Sequence, residues 1–320
     1  MRRCCIIYNE PRQGALADEL DVLDQVEHIE KHLIELGISV YRKGITENFM
    51  NEIAQLVKEK PDFVYNLVES INNKGELIYF VPALLNLYSI PYSGISFDSI
   101  FLTTNKSIAS RMMKAAGINN PRSYAISQIN QLKPGNKYIV KPIWEDGSLG
   151  ITAKSVFVCE PGFEERFKGL DDAHWFIEDF IDGREFNISV VAGKNGPEVM
   201  PPAEIVFVNY GEDRPRIIDF NAKWEMESFE YENTVREFPG NKLSEKLMTN
   251  LKESALACWN LFQLKGYARV DVRTDSNENV YVIEINGNPC ISPDGGFVAA
   301  TKQAGHLFTE ILQRIIDDLN

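Results

Sequence analysis

The chain has 320 residues, 44% hydrophobic and 25% charged, a composition that fits a globular protein of two or three domains and excludes intrinsic disorder. Its 33 Lys and Arg stand against 46 Asp and Glu, and the net charge of −13 argues against a general binder of nucleic acid or of an anionic membrane. No apolar run approaches the roughly 18 residues that a membrane helix needs.

The first apolar run, Cys4-Cys5-Ile6-Ile7-Tyr8, is too short for a secretory signal core and reads as a buried strand. Leu16, Leu20, Leu23, Val26, Ile29, Leu33 and Leu36 then recur at spacings of three and four, the stripe of an amphipathic helix that Gly37 ends. His28 and His32 lie four apart on it. Their order, His-Ile-Glu-Lys-His, is not a zinc-protease pattern, so they read as helix-surface residues. Ile38–Tyr41 is expected as a strand, 47–59 as a helix and Phe63–Val68 as a buried strand. A helix over 77–88 leads to Ile90-Pro91-Tyr92. This alternation predicts a parallel α/β layer over residues 1–95.

Strands dominate after a helix that ends near Ala116-Gly117. They are expected at about 123–126, 137–141, 154–158, 175–179, 186–192, 203–208 and 216–219, separated by turns such as Pro134-Gly135 and Asp182-Gly183. A long helix over 243–263, strands over 267–273 and 280–285, and a last helix over 297–318 complete the chain. The pattern is α+β with mostly antiparallel sheets, divided near residues 95 and 184, and no repeat is visible. The five cysteines form neither a disulfide framework nor a CxxC pair, which fits a reducing cytoplasm; Cys4, Cys159 and Cys258 read as core residues.

Two segments carry chemistry. The first is Tyr138-Ile139-Val140-Lys141-Pro142 followed by Glu145-Asp146-Gly147-Ser148-Leu149-Gly150. Glycines let backbone N–H groups wrap an anion, and a lysine at a strand end adds a point charge. The order is not that of a Walker loop, and a hairpin turn with a surface lysine is the plainer alternative. The second pairs Arg269-Val270-Asp271 with Glu284-Ile285-Asn286. Residues two apart share a strand face, so a hairpin would gather Asp271, Glu284 and Asn286 beside Arg269. Two carboxylates and an amide oxygen suit Mg²⁺. The alternative is a solvated face with an Arg–Asp pair, although the alternating Val270, Val272, Val282, Ile283 and Ile285 argue for a packed sheet.

These motifs occur in the order seen in the ATP-grasp superfamily, and the chain resembles its D-alanine–D-alanine ligases from about Asn66 onward. Ile90-Pro91-Tyr92-Ser93-Gly94 is similar to the end of that family's first domain. Asn105-Lys106 with Ala115-Ala116-Gly117-Ile118 is similar to its "DK…AGIPxP" segment, with Asn in place of Asp. The resemblance implies an ATP-grasp fold of three domains, 1–95, 96–183 and 184–320, with ATP between the central and C-terminal ones. It implies that Lys106 and Lys141 contact phosphates and that the loop of Gly147 and Ser148 closes over them, Ser148 among the catalytic residues. Phe176–Ile181 resembles the adenine hinge, with Glu178 and Phe180, and Glu185 matches the ribose-binding glutamate. Asp219-Phe220-Asn221-Ala222-Lys223-Trp224 is similar to the "DYEAKY" segment, which makes Lys223 the catalytic loop lysine. Arg269 falls on the transition-state arginine, and Asp271, Glu284 and Asn286 fall on the ligands of two Mg²⁺ ions, which Mn²⁺ could replace.

The activity so implied is an ATP-dependent ligase that joins a small-molecule carboxylate to an amine through an acyl phosphate. Neither a nucleic acid nor a membrane is expected as a partner, and the family often forms homodimers. The match fails at the amino-acid-binding positions. Tyr8–Gly14 lacks the usual glycine-rich stretch, and the acids that follow, Asp18, Glu19 and Asp21, read as a solvated helix start or as an amine site. The family's "HGxxGEDG" has become Val68-Glu69-Ser70-Ile71-Asn72-Asn73-Lys74-Gly75-Glu76, without the histidine. The serine that holds the second substrate falls on Gly295, and Trp224 replaces a tyrosine. The expectation is a divergent ligase for other amino acids or small peptides. A small-molecule kinase and a non-catalytic nucleotide-binding regulator are the alternatives. Cys290 fills a turn position that is glycine in the family, not that of a nucleophile.

Overall fold

The computed structural model describes residues 2–145, 147–212 and 214–320, and of Asp18 the backbone. The chain begins with β1 (Arg3–Asn9), α1 (Ala17–Glu35), β2 (Ser39–Ile45), α2 (Phe49–Glu59), β3 (Phe63–Leu67) and α3 (Phe80–Leu87). The three strands are parallel in the order β2-β1-β3. Both faces of this sheet are covered, as parallel sheets require. Cys4, Ile6, Phe63 and Tyr65 meet Val22, Val26, Ile29 and Leu33 of α1, while Leu16, Leu20 and Leu23 of the expected stripe stay exposed; the alternate residues Cys5, Ile7 and Val64 meet Ile53, Leu56, Val81 and Leu85. Tyr92 adds one parallel bridge to Val64.

Next come α4 (Phe97–Thr104), α5 (Lys106–Ala115), β4 (Ser123–Ala125), β5 (Lys137–Pro142), β6 (Val156–Val158) and β7 (Trp175–Asp179). The strands form an antiparallel sheet, β4-β7-β5-β6, over a core of Tyr124, Tyr138, Phe157, Phe167 and Ile177. The remainder is β8 (Glu185–Val191), β9 (Glu198–Val199), β10 (Ala203–Phe207), α6 (Phe220–Trp224), α7 (Phe229–Asn233), β11 (Thr234–Glu237), α8 (Glu245–Leu261), β12 (Tyr267–Thr274), β13 (Val280–Asn286), α9 (Gly296–Gln303) and α10 (Phe308–Asp317). Its sheet runs β11-β10-β8-β12-β13, with β9 beside β8, and all pairings are antiparallel. Val270, Val272, Val282 and Ile285 point to one face and bury against Leu247, Leu251, Ala255 and Cys258 of α8.

Three expectations are corrected. Residues 216–219 are not a strand: Asp219 instead caps α6, accepting from Ala222 N at 3.0 Å. The strand in that region is Thr234–Glu237, a largely exposed edge. The single helix expected over 297–318 is two, separated where Gly305 adopts φ +87°. Finally, His28 and His32 are not simple surface residues; their rings lie 4.2 and 4.9 Å from that of Phe308 on α10. Ile311, Leu312, Ile315 and Ile316 of α10 join the same apolar cluster, so α10 packs against α1 and β8.

Candidate active site

The polar face of the third sheet looks into a cavity of about 1160 Å³, lined by residues of all three sheets. Strand register decides which side chains reach it. Asn187 on β8 pairs Asp271 on β12, which pairs Glu284 on β13; Arg269 pairs Asn286, and Arg273 pairs Glu185. Side chains two apart share a face, so these residues form polar rows whose alternates are the apolar core under α8.

Each oxygen of Asp271 accepts two donors. Arg269 grips both, Nε and Nη2 each at 2.7 Å, with Asn187 Nδ2 at 2.8 Å and Asn286 Nδ2 at 3.0 Å. The Arg–Asp pair allowed by the plainer reading is therefore present, but inside the cavity. Glu284 meets Lys106 Nζ at 3.0 Å. Burial pushes the Glu284 carboxyl up, but Lys106, Lys141 and Arg269 outweigh burial and hold it at about 2. Lys106 occupies the first turn of α5 because Asn105 breaks α4 from α5 and caps the latter, accepting from Ile108 N at 2.8 Å. The Asn-for-Asp exchange thus keeps the cap. Lys106 Nζ also donates to Glu145 O at 2.7 Å.

Lys141 on β5 lies diagonally across from Glu178 on β7, and the two meet at 2.8 Å. Burial raises the Glu178 carboxyl, against the pull of Lys141. The acid expected at the adenine hinge is therefore bonded to the lysine expected at the phosphates. Phe180 lies under Arg273, whose guanidinium is 4.8 Å from the ring centre. Arg273 also faces Glu185 at 3.4 Å and donates to Arg216 O at 2.8 Å and Gly183 O at 3.0 Å. Sequence reasoning missed Arg273 and Asn187, although the alternations Arg269-Val-Asp271-Val-Arg273 and Glu185-Phe-Asn187 signal both.

The loop after β5 is tied to the segment leading into α6. Gly147 and Ser148 both have positive φ, +66° and +67°. Ser148 Oγ donates to Ile218 O at 2.8 Å, and Trp224 Nε1 donates to Gly147 O at 3.0 Å. Lys223 Nζ lies 3.7 Å from where a Cβ on Gly147 would sit. Asp146 of this loop lies outside the described residues.

Another stretch of wall brings the N-terminus against the segment after β13. Glu19 closes the start of α1, accepting from Leu16 N at 3.0 Å. Asp21 accepts Ser292 Oγ at 2.7 Å, Gln25 Nε2 at 3.0 Å and the Cys290 thiol at 3.2 Å. No sequence signal linked residues 271 apart. Burial and the Asp21 charge push the Cys290 thiol up to about 12, which favours its protonated form. Gly295 lines the same cavity and caps α9 without a side chain. The Asp18 side chain lies outside the described residues.

The donor chemistry of Asp271, Glu284 and Asn286 fits Mg²⁺. The two acids face each other in register, and hard oxygen ligands are what this ion takes. Among the described residues no group of three or more His, Cys, Asp or Glu is placed to hold a metal. Two carboxylates suit an ion that takes its remaining ligands from substrate phosphates and water. Arg269 and Lys106 neutralise the two acids in this structure.

The chain was compared with known proteins. The family described as D-ala D-ala ligase C-terminus matches residues 104–317. The chain is 29% identical over 262 residues to the uncharacterized protein y4sG of Sinorhizobium fredii, which spans 79% of this chain and 73% of that one. It is 27% identical over 310 residues to the D-alanine–D-alanine ligase of Thermotoga petrophila, spanning 95% and 94%. The solved D-alanine–D-alanine ligase of Bacillus anthracis shares the fold with a TM-score of 0.77 at 20% identity, spanning 99% of this chain and 97% of that one. The same enzyme complexed with ATP gives 0.74 at 19% identity and the same coverage.

Proposed function

The chain belongs to the D-alanine–D-alanine ligase family, and from that premise we propose an ATP-dependent ligase that joins a carboxylate to an amine. One observation carries the reading. Lys106, Lys141, Gly147, Ser148, Glu178, Phe180, Glu185, Lys223, Arg269, Asp271, Glu284 and Asn286, scattered over the last two sheets, their loops and helices α5 and α6, all line one cavity.

In this reading ATP lies between the lobes 96–183 and 184–320, and the lobe 1–95 closes the substrate end. Lys106 and Lys141 meet the phosphates, exchanging their carboxylate partners for phosphate oxygens. Phe180 and Glu185, held by Arg273, border the nucleoside, as does Glu178. Asp271, Glu284 and Asn286 would hold Mg²⁺, which supplies charge neutralisation for the transferring phosphoryl group. The γ-phosphoryl passes to the substrate carboxylate, giving an acyl phosphate and ADP. The amine then attacks the acyl carbon, loses a proton and expels phosphate. Arg269 stabilises the developing oxyanion, and the Gly147–Ser148 loop and Lys223 close over the site to exclude water.

The test is ADP and phosphate release with purified protein, ATP, Mg²⁺ and a panel of acid and amine pairs that includes D-alanine. Stoichiometric ADP, phosphate and amide support the reading. Phosphorylated product without free phosphate supports a kinase. ATP binding with no turnover on any pair sinks both.

A further inference from the structure

The basic side chains around the cavity differ in their partners. Lys106 is paired with Glu284, Lys141 with Glu178, Arg269 with Asp271 and Arg273 with Glu185. Arg236 breaks the pattern. Among the described residues no carboxylate holds it, and its Nη1 donates to a backbone carbonyl, Asp294 O, at 3.0 Å.

Register puts Arg236 on the working face. It pairs Ile205 on β10, Ile205 pairs Glu185 on β8, and Glu185 pairs Arg273 on β12. Cross-strand partners project to one side of a sheet, so Arg236 looks into the same cavity as the site. It reaches over the start of α9, where a Cβ on Gly296 would lie 3.6 Å from its Nε. Gly295 and Gly296 leave that floor open. Lys223 belongs instead with the Gly147 loop. Desolvation and then the charge of Arg269 pull the Arg236 guanidinium below its ordinary value, against the opposing pull of Asp294 and Cys290.

Resting on the ligase reading, we infer that Arg236 anchors the carboxylate of the amine substrate, which is therefore an amino acid or short peptide with a free carboxyl terminus. The planar guanidinium fork matches a carboxylate in bidentate fashion. The carboxylate to be phosphorylated belongs beside Arg269, Lys106 and the metal acids. The spectator carboxylate of the attacking amine is the anion left for Arg236.

The experiment compares amino acids and dipeptides with their C-terminal amides as amine substrates, measuring ADP release by wild type, Arg236→Ala and Arg236→Lys. Wild type should prefer the free carboxylate by roughly tenfold to a hundredfold in kcat/KM. Arg236→Ala should raise the KM of the free acid by about that factor and erase the preference, with the KM of ATP within about twofold. Arg236→Lys should keep part of the preference. An Arg236→Ala protein that retains the wild-type KM and preference overturns the inference alone, as does one whose defect lies in the KM of ATP. A wild type that releases no ADP with any pair overturns the ligase reading, and the inference falls with it.

Discussion

Replacing Arg273 by alanine tests the hinge side of the cavity. The Arg273 and Glu185 side chains are only 4% and 7% exposed, and their charged groups are 3.4 Å apart. The same guanidinium serves two backbone carbonyls and packs on Phe180. Removing it leaves Glu185 as a buried charge without its cation, which costs about 3–5 kcal/mol. The double variant Glu185→Gln with Arg273→Met removes both charges and should recover most of that loss. The pH dependence has a definite sign. Burial already raises the Glu185 carboxyl, against Arg273, and losing Arg273 raises it further. A raised folded-state value means that the native form holds its proton over a pH range where the unfolded chain has lost it. The Arg273→Ala deficit should therefore grow as pH rises above the ordinary glutamate value and shrink at acid pH. Urea unfolding followed by circular dichroism at pH 5 and pH 8 measures both effects. A deficit below about 1 kcal/mol, or a double variant as unstable as the sum of its singles, refutes the reasoning.

Asp271→Asn and Glu284→Gln should each cut ADP release by about a hundredfold or more while the circular dichroism spectrum stays native; full activity in both contradicts the metal assignment. Gly183→Ala should destabilise by roughly 2 kcal/mol or more, because the new Cβ would stand 1.8 Å from Thr274 O; a wild-type urea midpoint excludes this. His28 is held down to about 4, first by burial and then by His32 and Lys31, and its buried Nε2 has no hydrogen-bond partner among the described residues. Its neutral form is the native one, so its share of stability is complete above about pH 6.5 and is lost as pH falls toward 4. Proton NMR should find this ring titrating near 4, and a value near 6.5 is the contrary result.

Much of the molecule was written in local pattern. The spacing of Leu16 to Leu36 marked α1 as a helix, although Leu16, Leu20 and Leu23 are exposed, and the alternation along Arg269–Arg273 and Val280–Asn286 specified two strands with one apolar and one polar face. That alternation, with the glycines after β5 and the family motifs, was enough to gather twelve residues that the structure finds lining one cavity. Such patterns are legible because a helix or strand repeats its burial every few residues, whatever lies opposite. Local signals failed where that periodicity is absent. β11 is an exposed edge strand with one strongly apolar residue, Val235, and the cap by Asp219 turned 216–219 away from a strand.

The tertiary structure alone decided the partners. Glu178 with Lys141, Arg273 with Glu185, and Asp21 with Ser292 join groups 37, 88 and 271 positions apart. No periodicity connects such distances. The pairing follows from which strands lie side by side and in what register. A residue's type and spacing set its face, but its charge partner is set by the packing of remote segments, and so is the lack, among the described residues, of one at Arg236.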